Sequence, residues 1–487
     1  MLLCCLLFVS SASAARNTPT ATPPLYPEAT LAPGGNDYDE THPEELDPSN
    51  LYAWSAILID AESDSGADDP IFEKSADEIR NPASTTKIMT CYLALREVED
   101  LYQTVTVSER AVDIPEGSST MKLVAGEQLP FIDVLYGTML LSGNDGANVI
   151  AETVSGSIEA FVELMNRTAA ELGCSNTHFN NAHGFTDPYH YTTARDLATI
   201  AKEAMSHEQF REIVGTQSYT LAKTNEHKAR TITNTNELFR PGTEESPNKY
   251  YYPYANGVKT GNTDAAQYCF VGSAEKDGVH LISVVMYSGK RARWRDTILL
   301  MNYGFSMYVS VTPLELYNMN PLIIETSSYS TSDPNLGKLE LTCIPQDPSS
   351  AEKTRLTVQK DYVQQMANDF RRRILLRYTR SFRAPIEAGE LMGTMTYVTG
   401  SGEPFVYNLI ASRSIAQREN MPKTLSEIWQ ETLEEGNPLP PFNATTAALL
   451  IIVSGVVFAI VHFLNFLLSR RRRRRSNVPK TVNHYLK

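Results

Sequence analysis

The sequence predicts a large α+β domain, followed by a small all-β domain and one C-terminal membrane-spanning helix. Three observations carry this. β-forming runs open the first domain (residues 53–60) and close it (268–274 and 279–287), while the stretch between them reads mostly as helix. That pattern is an antiparallel sheet split in sequence, with a helical region packed beside it. After Pro313 the texture changes to short alternating runs separated by turn signals. Residues 444–468 then hold 25 positions without Asp, Glu, Lys or Arg, and a membrane span needs about 20.

Taken in order, residues 1–14 carry a short apolar core and an Ala12-Ser13-Ala14 cleavage site, as expected of a secretory signal. Residues 15–50, rich in Pro, Thr, Asp and Glu, read as a disordered linker. The strand at 53–60 turns through acidic residues 62–69 into a hairpin partner at 71–73. Pro82 then precedes a helix start, where a missing N–H costs nothing. Ile88, Met89, Cys91, Tyr92, Leu93 and Leu95 are too dense for a surface helix, so this one is expected in the centre of the domain. A short strand at 104–107 and a helix at 131–141 follow, the helix ending at Ser142-Gly143-Asn144-Asp145. Residues 157–172 place Ile158, Phe161, Val162, Met165, Ala169 and Leu172 on one face, with Gly173 as the C′ residue. Another helix is expected at 193–205. Lys276-Asp277-Gly278 joins the two closing strands as a hairpin, and 294–305 is the closing helix.

The expected domain therefore spans 51–312. Alternating runs at 339–343, 354–358, 393–398 and 405–410 place the all-β domain at 313–413. Residues 414–443 read as a juxtamembrane stalk, with Leu425, Ile428, Trp429 and Leu433 on one helical face before Pro438, Pro440 and Pro441. The span at 444–468 and a basic tail at 469–487 complete the organisation.

Lys and Arg number 43 against 57 Asp and Glu, for a net charge of −14. The tail after Ser469 holds eight cations and no acid, so the rest of the chain stands at −22. Such a body repels nucleic acid, which excludes it as a partner. Arg470 to Arg475 directly follow the apolar run, a stop-transfer and positive-inside signal. The body is then expected outside the cell and the tail in the cytoplasm. Cys4 and Cys5 fall in the expected signal. Cys91, Cys174, Cys269 and Cys343 are widely spaced and form no disulfide scaffold.

Three clusters carry chemistry. Ser84 and Lys87 lie one helical turn apart, so a lysine amine can face a serine hydroxyl. A serine becomes a nucleophile when a base takes its proton, and a lysine serves if burial or a second cation lowers its pKa. Ser142-Gly143-Asn144 follows 58 residues after Ser84, and Lys259-Thr260-Gly261 another 117 residues on, beside the closing strands. Each has a plain reading: a capping serine with a solvated lysine, a turn, and a strand end. All three in this order, on helix, inter-helix loop and strand, are much rarer.

With these motifs the chain resembles the serine-type D-alanyl-D-alanine carboxypeptidases, the low-molecular-weight penicillin-binding proteins of peptidase family S11. The likeness is strong over residues 50–310. It includes Pro82-Ala83-Ser84-Thr85-Thr86-Lys87-Ile88-Met89, Leu141-Ser142-Gly143-Asn144-Asp145, His178-Phe179, His183-Gly184-Phe185, Asp187-Pro188, Tyr191, Thr193-Ala194-Arg195-Asp196, and Gly257-Val258-Lys259-Thr260-Gly261 with Thr263-Asp264. Ala384-Pro385-Ile386, Gly389 and Gly393 give a weaker likeness to the family's C-terminal domain.

The resemblance implies a penicillin-binding-protein and β-lactamase-like transpeptidase fold, and a serine carboxypeptidase acting on peptidoglycan stem peptides that end in D-Ala-D-Ala. β-Lactams would be its covalent inhibitors, and it would need no cofactor. It implies Ser84 as nucleophile, Lys87 as its neutral base, Ser142 as a proton relay to the leaving amine, and Asn144 as a holder of the substrate amide and of Lys87. Lys259 and Thr260, on the strand with Gly261, would contact the terminal carboxylate. The N–H groups of Ser84 and Asn262 would form the oxyanion hole; the family usually has another residue where Asn262 stands, and a backbone role survives that change. Arg293 is a further carboxylate candidate, with a surface arginine on the closing helix as the equal reading. The enzyme would sit on the outer face of a bacterial membrane.

Other classes fit less well. His178, His183, Asp187, His190 and Asp196 invite a zinc site, but their spacing matches no H-E-x-x-H pair, so no metal is expected. A class A β-lactamase needs a deacylating Glu near the site, and none stands in the right setting before Lys259. A non-catalytic penicillin-binding sensor needs a signalling domain, for which the tail after Leu468 is too short. Endopeptidase action on cross-links stays open beside carboxypeptidase action.

Overall fold

Ser55–Asp60 (β1) is buried along its whole length, as a strand covered on both faces must be. Phe72–Lys74 (β2) pairs with it antiparallel, Leu58 opposite Phe72. In the computed structural model, which describes residues 42–62, 66–351, 355–399, 402–419 and 451–463, the other side of β1 is taken by the far end of the domain. Ala255–Thr263 (β3), Gln267–Lys276 (β4) and Val279–Ser288 (β5) complete a five-stranded antiparallel sheet in the order β2-β1-β5-β4-β3. The sheet is split in sequence as expected, and it leaves β3 as an edge strand.

On one face lie Lys87–Glu97 (α1), Phe131–Leu140 (α2), Asn144–Ser155 (α3), Ile158–Glu171 (α4), Ala194–Ser206 (α5) and Glu208–Gly215 (α6). Their core joins Leu93, Phe131, Ile150 and Phe161 to Ile57, Val271 and Val284 of the sheet. α1 is the central helix, buried from Lys87 through Ala94. Ser157 caps α4 by accepting the Ala160 N–H, and Thr193 caps α5 by accepting that of Asp196. Gly173 follows α4 at φ +80, a conformation glycine adopts without a Cβ penalty. The opposite face of the sheet is covered by Ala292–Met307 (α7), whose Trp294 and Leu300 pack on Phe270 and Val285.

Up to this point in the chain, the structure corrects three expectations. The helix at Ser84 opens with a 3-10 turn, Ala83–Thr86, and α1 proper starts at Lys87. Asn144 and Asp145 do not merely end a helix; they begin α3. The Asp145 carboxylate accepts the N–H groups of Met121 and Leu123 at 2.9 and 3.1 Å, so a tertiary tie replaces local propensity. The linker expected through residue 50 contains two docked turns, Pro43–Glu45 and Pro48–Asn50, because Leu46 and Leu51 find burial against the α7 side of the sheet.

Ile323–Glu325 (β6), Lys338–Pro345 (β7), Ile374–Tyr378 (β8), Leu391–Val398 (β9) and Pro404–Ala411 (β10) form a second antiparallel sheet in the order β6-β7-β10-β9-β8. β7 alternates exposed and buried positions, as a sheet with one covered face requires. The region is not all-β. Pro313–Met319 (α8) and Val363–Asp369 (α9) flank the same core, in which Leu316 and Ala367 are buried. α8 is set by Pro313 in its first turn and a capping box between Thr312 and Glu315.

All four cysteines beyond Cys5 are free and buried. Of the expected span, residues 451–463 are described; they are helical and exposed. Among the described residues, no helix is long and apolar enough to cross a membrane. The expected signal, the amphipathic stretch at 425–433 and the basic tail lie outside the described residues.

Candidate active site

Ser84 stands in the 3-10 turn, just after Ala83, whose φ is +49. Three residues on, Lys87 turns its side chain back under the turn. Its Nζ lies 2.9 Å from Ser84 Oγ, 2.7 Å from Asn144 Oδ1 and 2.7 Å from the His183 carbonyl oxygen. The Lys87 side chain is fully buried. Burial, and then the charge of Lys259, hold its pKa well below the usual lysine value, with Asp145 pulling the other way. An amine so placed can exist neutral, facing a serine hydroxyl.

Asn144 reaches Lys87 because it is the first residue of α3, and its own N–H is fixed by the Ser119 carbonyl at 2.8 Å. Ser142, two residues before it, is buried and left-handed at φ +64. It occupies the same corner, yet its hydroxyl bonds neither Ser84 nor Lys87 among the described residues. Met121 is wedged against this corner: a Cβ on Gly137, Gly143 or Gly146 would fall within 2.6 Å of a Met121 side-chain atom.

β3 borders the other side. Gly261 abuts the serine turn so closely that a Cβ there would lie 2.9 Å from the Pro82 carbonyl oxygen. Lys259 is buried, its Nζ donating to the Thr260 carbonyl at 3.0 Å. Burial, and then the charge of Arg293, bring its pKa down to about 7. Thr260 Oγ1 lies 2.9 Å from Thr235 Oγ1. Asn262 is exposed on the same edge strand. Arg293 is no loose surface residue. Its guanidinium lies over the rings of Trp294 and Tyr268, 4.4 and 5.1 Å from their centroids. It also donates to the Gly261 carbonyl at 3.4 Å, and burial lowers its pKa to about 10.

The structure adds residues that sequence reasoning missed. The His183 carbonyl is an acceptor for Lys87, and Gly184 (φ +87) presses on the serine turn: a Cβ there would sit 1.8 Å from the Ala83 oxygen. The glycine of His183-Gly184-Phe185 was the available signal. The five residues considered for zinc each hold this loop. His183 Nδ1 accepts the Phe185 N–H at 3.1 Å and His190 Nδ1 that of Asn180 at 3.1 Å. Burial lowers both rings to about 3, so both are neutral. His178 Nδ1 lies 2.5 Å from the Tyr189 carbonyl, Asp187 accepts the Tyr189 N–H, and Asp196 accepts from Asn176 and Thr177. Among the described residues no three such side chains are grouped to hold a metal ion.

A serine hydroxyl facing a buried lysine, between a helical region and the edge of an antiparallel sheet, defines a serine hydrolase with a penicillin-binding-protein type of fold. Residues 41–289 match the D-alanyl-D-alanine carboxypeptidases of peptidase family S11, and the chain belongs to that family. It is 32% identical over 379 residues to the D-alanyl-D-alanine carboxypeptidase DacF of Bacillus subtilis, covering 76% of this chain and 86% of that protein. Identity to a Streptomyces D-alanyl-D-alanine carboxypeptidase is 34% over 254 residues, covering 50% of this chain and 84% of that protein. The crystal structure of the Streptomyces K15 DD-transpeptidase overlays 53% of this chain and 98% of its own, at 32% identity and a TM-score of 0.48.

Proposed function

We propose that this protein is a serine D-alanyl-D-alanine carboxypeptidase that removes the terminal D-alanine from peptidoglycan stem peptides through an acyl-enzyme on Ser84. The observation that carries the reading is the surroundings of Lys87 Nζ. Asn144 Oδ1 and the His183 carbonyl are acceptors without protons. A neutral amine has two N–H bonds and one lone pair, so these two oxygens take both N–H bonds and leave the lone pair for the Ser84 hydroxyl.

Lys87 takes the Ser84 proton as Ser84 Oγ bonds to the carbonyl carbon between the two D-alanines. The N–H groups of Ser84 and Asn262 hold the oxyanion. The proton passes by way of Ser142 to the amine of the departing D-alanine as the C–N bond breaks. Water then attacks the ester, Lys87 again taking the proton and passing it to Ser84 Oγ as the ester C–O bond breaks and the shortened peptide leaves as a carboxylate. Asn144 holds the substrate amide as well as Lys87. Lys259 and Thr260, with Arg293 behind them, read the carboxylate of the terminal residue. A β-lactam offers the same amide in a ring, so its acyl group stays on Ser84.

The apolar run 444–468 and the arginines after it support a single membrane anchor, with the enzyme on the outer face and the tail in the cytoplasm. The first test is intact-mass analysis after penicillin treatment. The parent gains one adduct and Ser84→Ala gains none; an adduct on the alanine variant defeats the assignment. Peptides ending in D-Ala-D-Ala release D-alanine, and equal rates on an L-Ala terminus contradict the carboxypeptidase reading.

A further inference from the structure

We infer that His190 and Thr86 are positioning residues that aim the Ser84 N–H at the oxyanion, through the peptide plane that Ser84 shares with Ala83. This rests on the reading of Ser84 as the nucleophile whose own N–H stabilises the oxyanion.

Counting protons gives the direction of the relay. The Asn180 N–H donates to His190 Nδ1 at 3.1 Å, so that nitrogen carries no proton and a neutral ring carries it on Nε2. Nε2 lies 2.8 Å from Thr86 Oγ1, and Thr86 Oγ1 donates to the Ala83 carbonyl at 2.8 Å. A hydroxyl has one proton, and this one goes to Ala83. His190 is therefore the donor to Thr86. The chain runs one way, from Asn180 through His190 and Thr86 to the Ala83 oxygen. Both His190 and Thr86 are buried, so bulk water does not replace either bond.

The Ala83 carbonyl and the Ser84 N–H are two ends of one planar trans amide, so fixing the oxygen aims the N–H the opposite way. The Ser84 N–H precedes the first hydrogen bond of the turn, in which Thr85 N–H donates to Pro82 O. Ala83 needs the support. Its φ of +49 lies in the left-handed region, which a residue with a Cβ disfavours. Gly184 closes on the same carbonyl from the loop that also carries His190.

The test separates acylation from binding in the full-length protein, using penicillin as the probe. The acylation rate constant and the dissociation constant of the complex before acylation are measured alongside the melting temperature. Thr86→Val keeps the volume and removes the hydroxyl; acylation should slow by roughly 10- to 100-fold, less than the loss of a whole oxyanion donor, with the earlier binding unchanged. Thr86→Ser restores the hydroxyl and should recover to within about threefold of the parent. His190→Gln, which keeps an N–H donor near the Nε2 position, should acylate faster than His190→Leu. A parental rate in Thr86→Val, a loss lying wholly in the initial binding, or no rescue by Thr86→Ser overturns the relay. Should Thr86→Val fail to fold, equal rates for the two His190 variants overturn it. Peptide mapping of the parent adduct keeps the two readings apart. An adduct away from Ser84 defeats the nucleophile assignment, whereas an adduct on Ser84 with a parental Thr86→Val rate defeats the relay alone.

Discussion

Lys87 Nζ lies 2.9 Å from Ser84 Oγ, close enough to take its proton directly. On the proposed role of Lys87 as the base, the amine can do so only when deprotonated, so kcat/KM should rise with pH through the Lys87 pKa. Burial and Lys259 set that pKa low, and the buried Asp145 carboxylate raises it again. Removing the Asp145 charge therefore lowers it further. Asp145→Asn should move the acid limb of the kcat/KM profile to lower pH. The same variant turns an amide NH2 toward N–H groups that Asp145 now satisfies, which should cost about 2 kcal/mol of stability. An acid limb that stays put or moves upward contradicts the assignment of that limb to Lys87.

Gly184 meets the serine turn at a distance no side chain allows. A Cβ there would lie 1.8 Å from the Ala83 oxygen and 2.4 Å from its carbon, both backbone atoms with little freedom to yield. Gly184 also sits at φ +87. Gly184→Ala should destabilise the protein by about 3 kcal/mol and slow penicillin acylation at least tenfold, by pushing the turn off its position. Gly156 is also left-handed, at φ +76, but a Cβ there meets nothing within 4 Å. Gly156→Ala therefore controls for strain without collision and should keep the parental acylation rate. Denaturant melts and acylation rates on both variants decide it; equal effects on acylation would show that contact with the turn is irrelevant.

What could be read from the sequence was what side-chain type and spacing encode. Ser84 and Lys87 meet because a one-turn spacing brings them together, whereas the place of Asn144 beside Lys87 came from the family resemblance. The split sheet was legible because β1 and β5 are rich in β-forming residues, although His280 and Ser283 interrupt the apolar run of β5. The His183 carbonyl was not legible, since every residue has one and only the loop path selects it. Ala83 gave no sign of its left-handed backbone, because an alanine side chain does not encode that conformation. The start of α3 was hidden because Ser142-Gly143-Asn144 reads as a turn, and the ties of Asp145 to Met121 and Leu123 are tertiary. α8 carried its own signals in Thr312, Pro313 and Glu315, which the alternating texture around it masked.

The anchor reading gives a test on cells. Deleting residues 444–487 removes the apolar run and the arginines together. The shortened protein should appear in the medium with parental turnover of a soluble peptide. Its retention in the membrane fraction would show that another segment provides the anchor.

Arg293 gives the last prediction, because its charge acts on Lys259 whether or not it touches substrate. On the proposed reading that Lys259 attracts the terminal carboxylate, it must keep its proton, so kcat/KM should fall as pH rises through its pKa near 7. A bound carboxylate stabilises the charged form, so the limb in kcat should lie at higher pH than the limb in kcat/KM. Burial is the larger cause of the low pKa, and Arg293 is the second. Arg293→Gln removes a cation and should shift the alkaline limb of kcat/KM upward. Arg293→Lys keeps the charge and should leave the limb where it is, although it gives up the stacking on Trp294 and Tyr268. If Arg293 also contacts the carboxylate, Arg293→Gln raises KM at every pH. If it acts only through Lys259, the KM penalty shrinks at low pH, where Lys259 is fully protonated in both proteins. An unmoved alkaline limb in Arg293→Gln would mean that the limb belongs to a group other than Lys259.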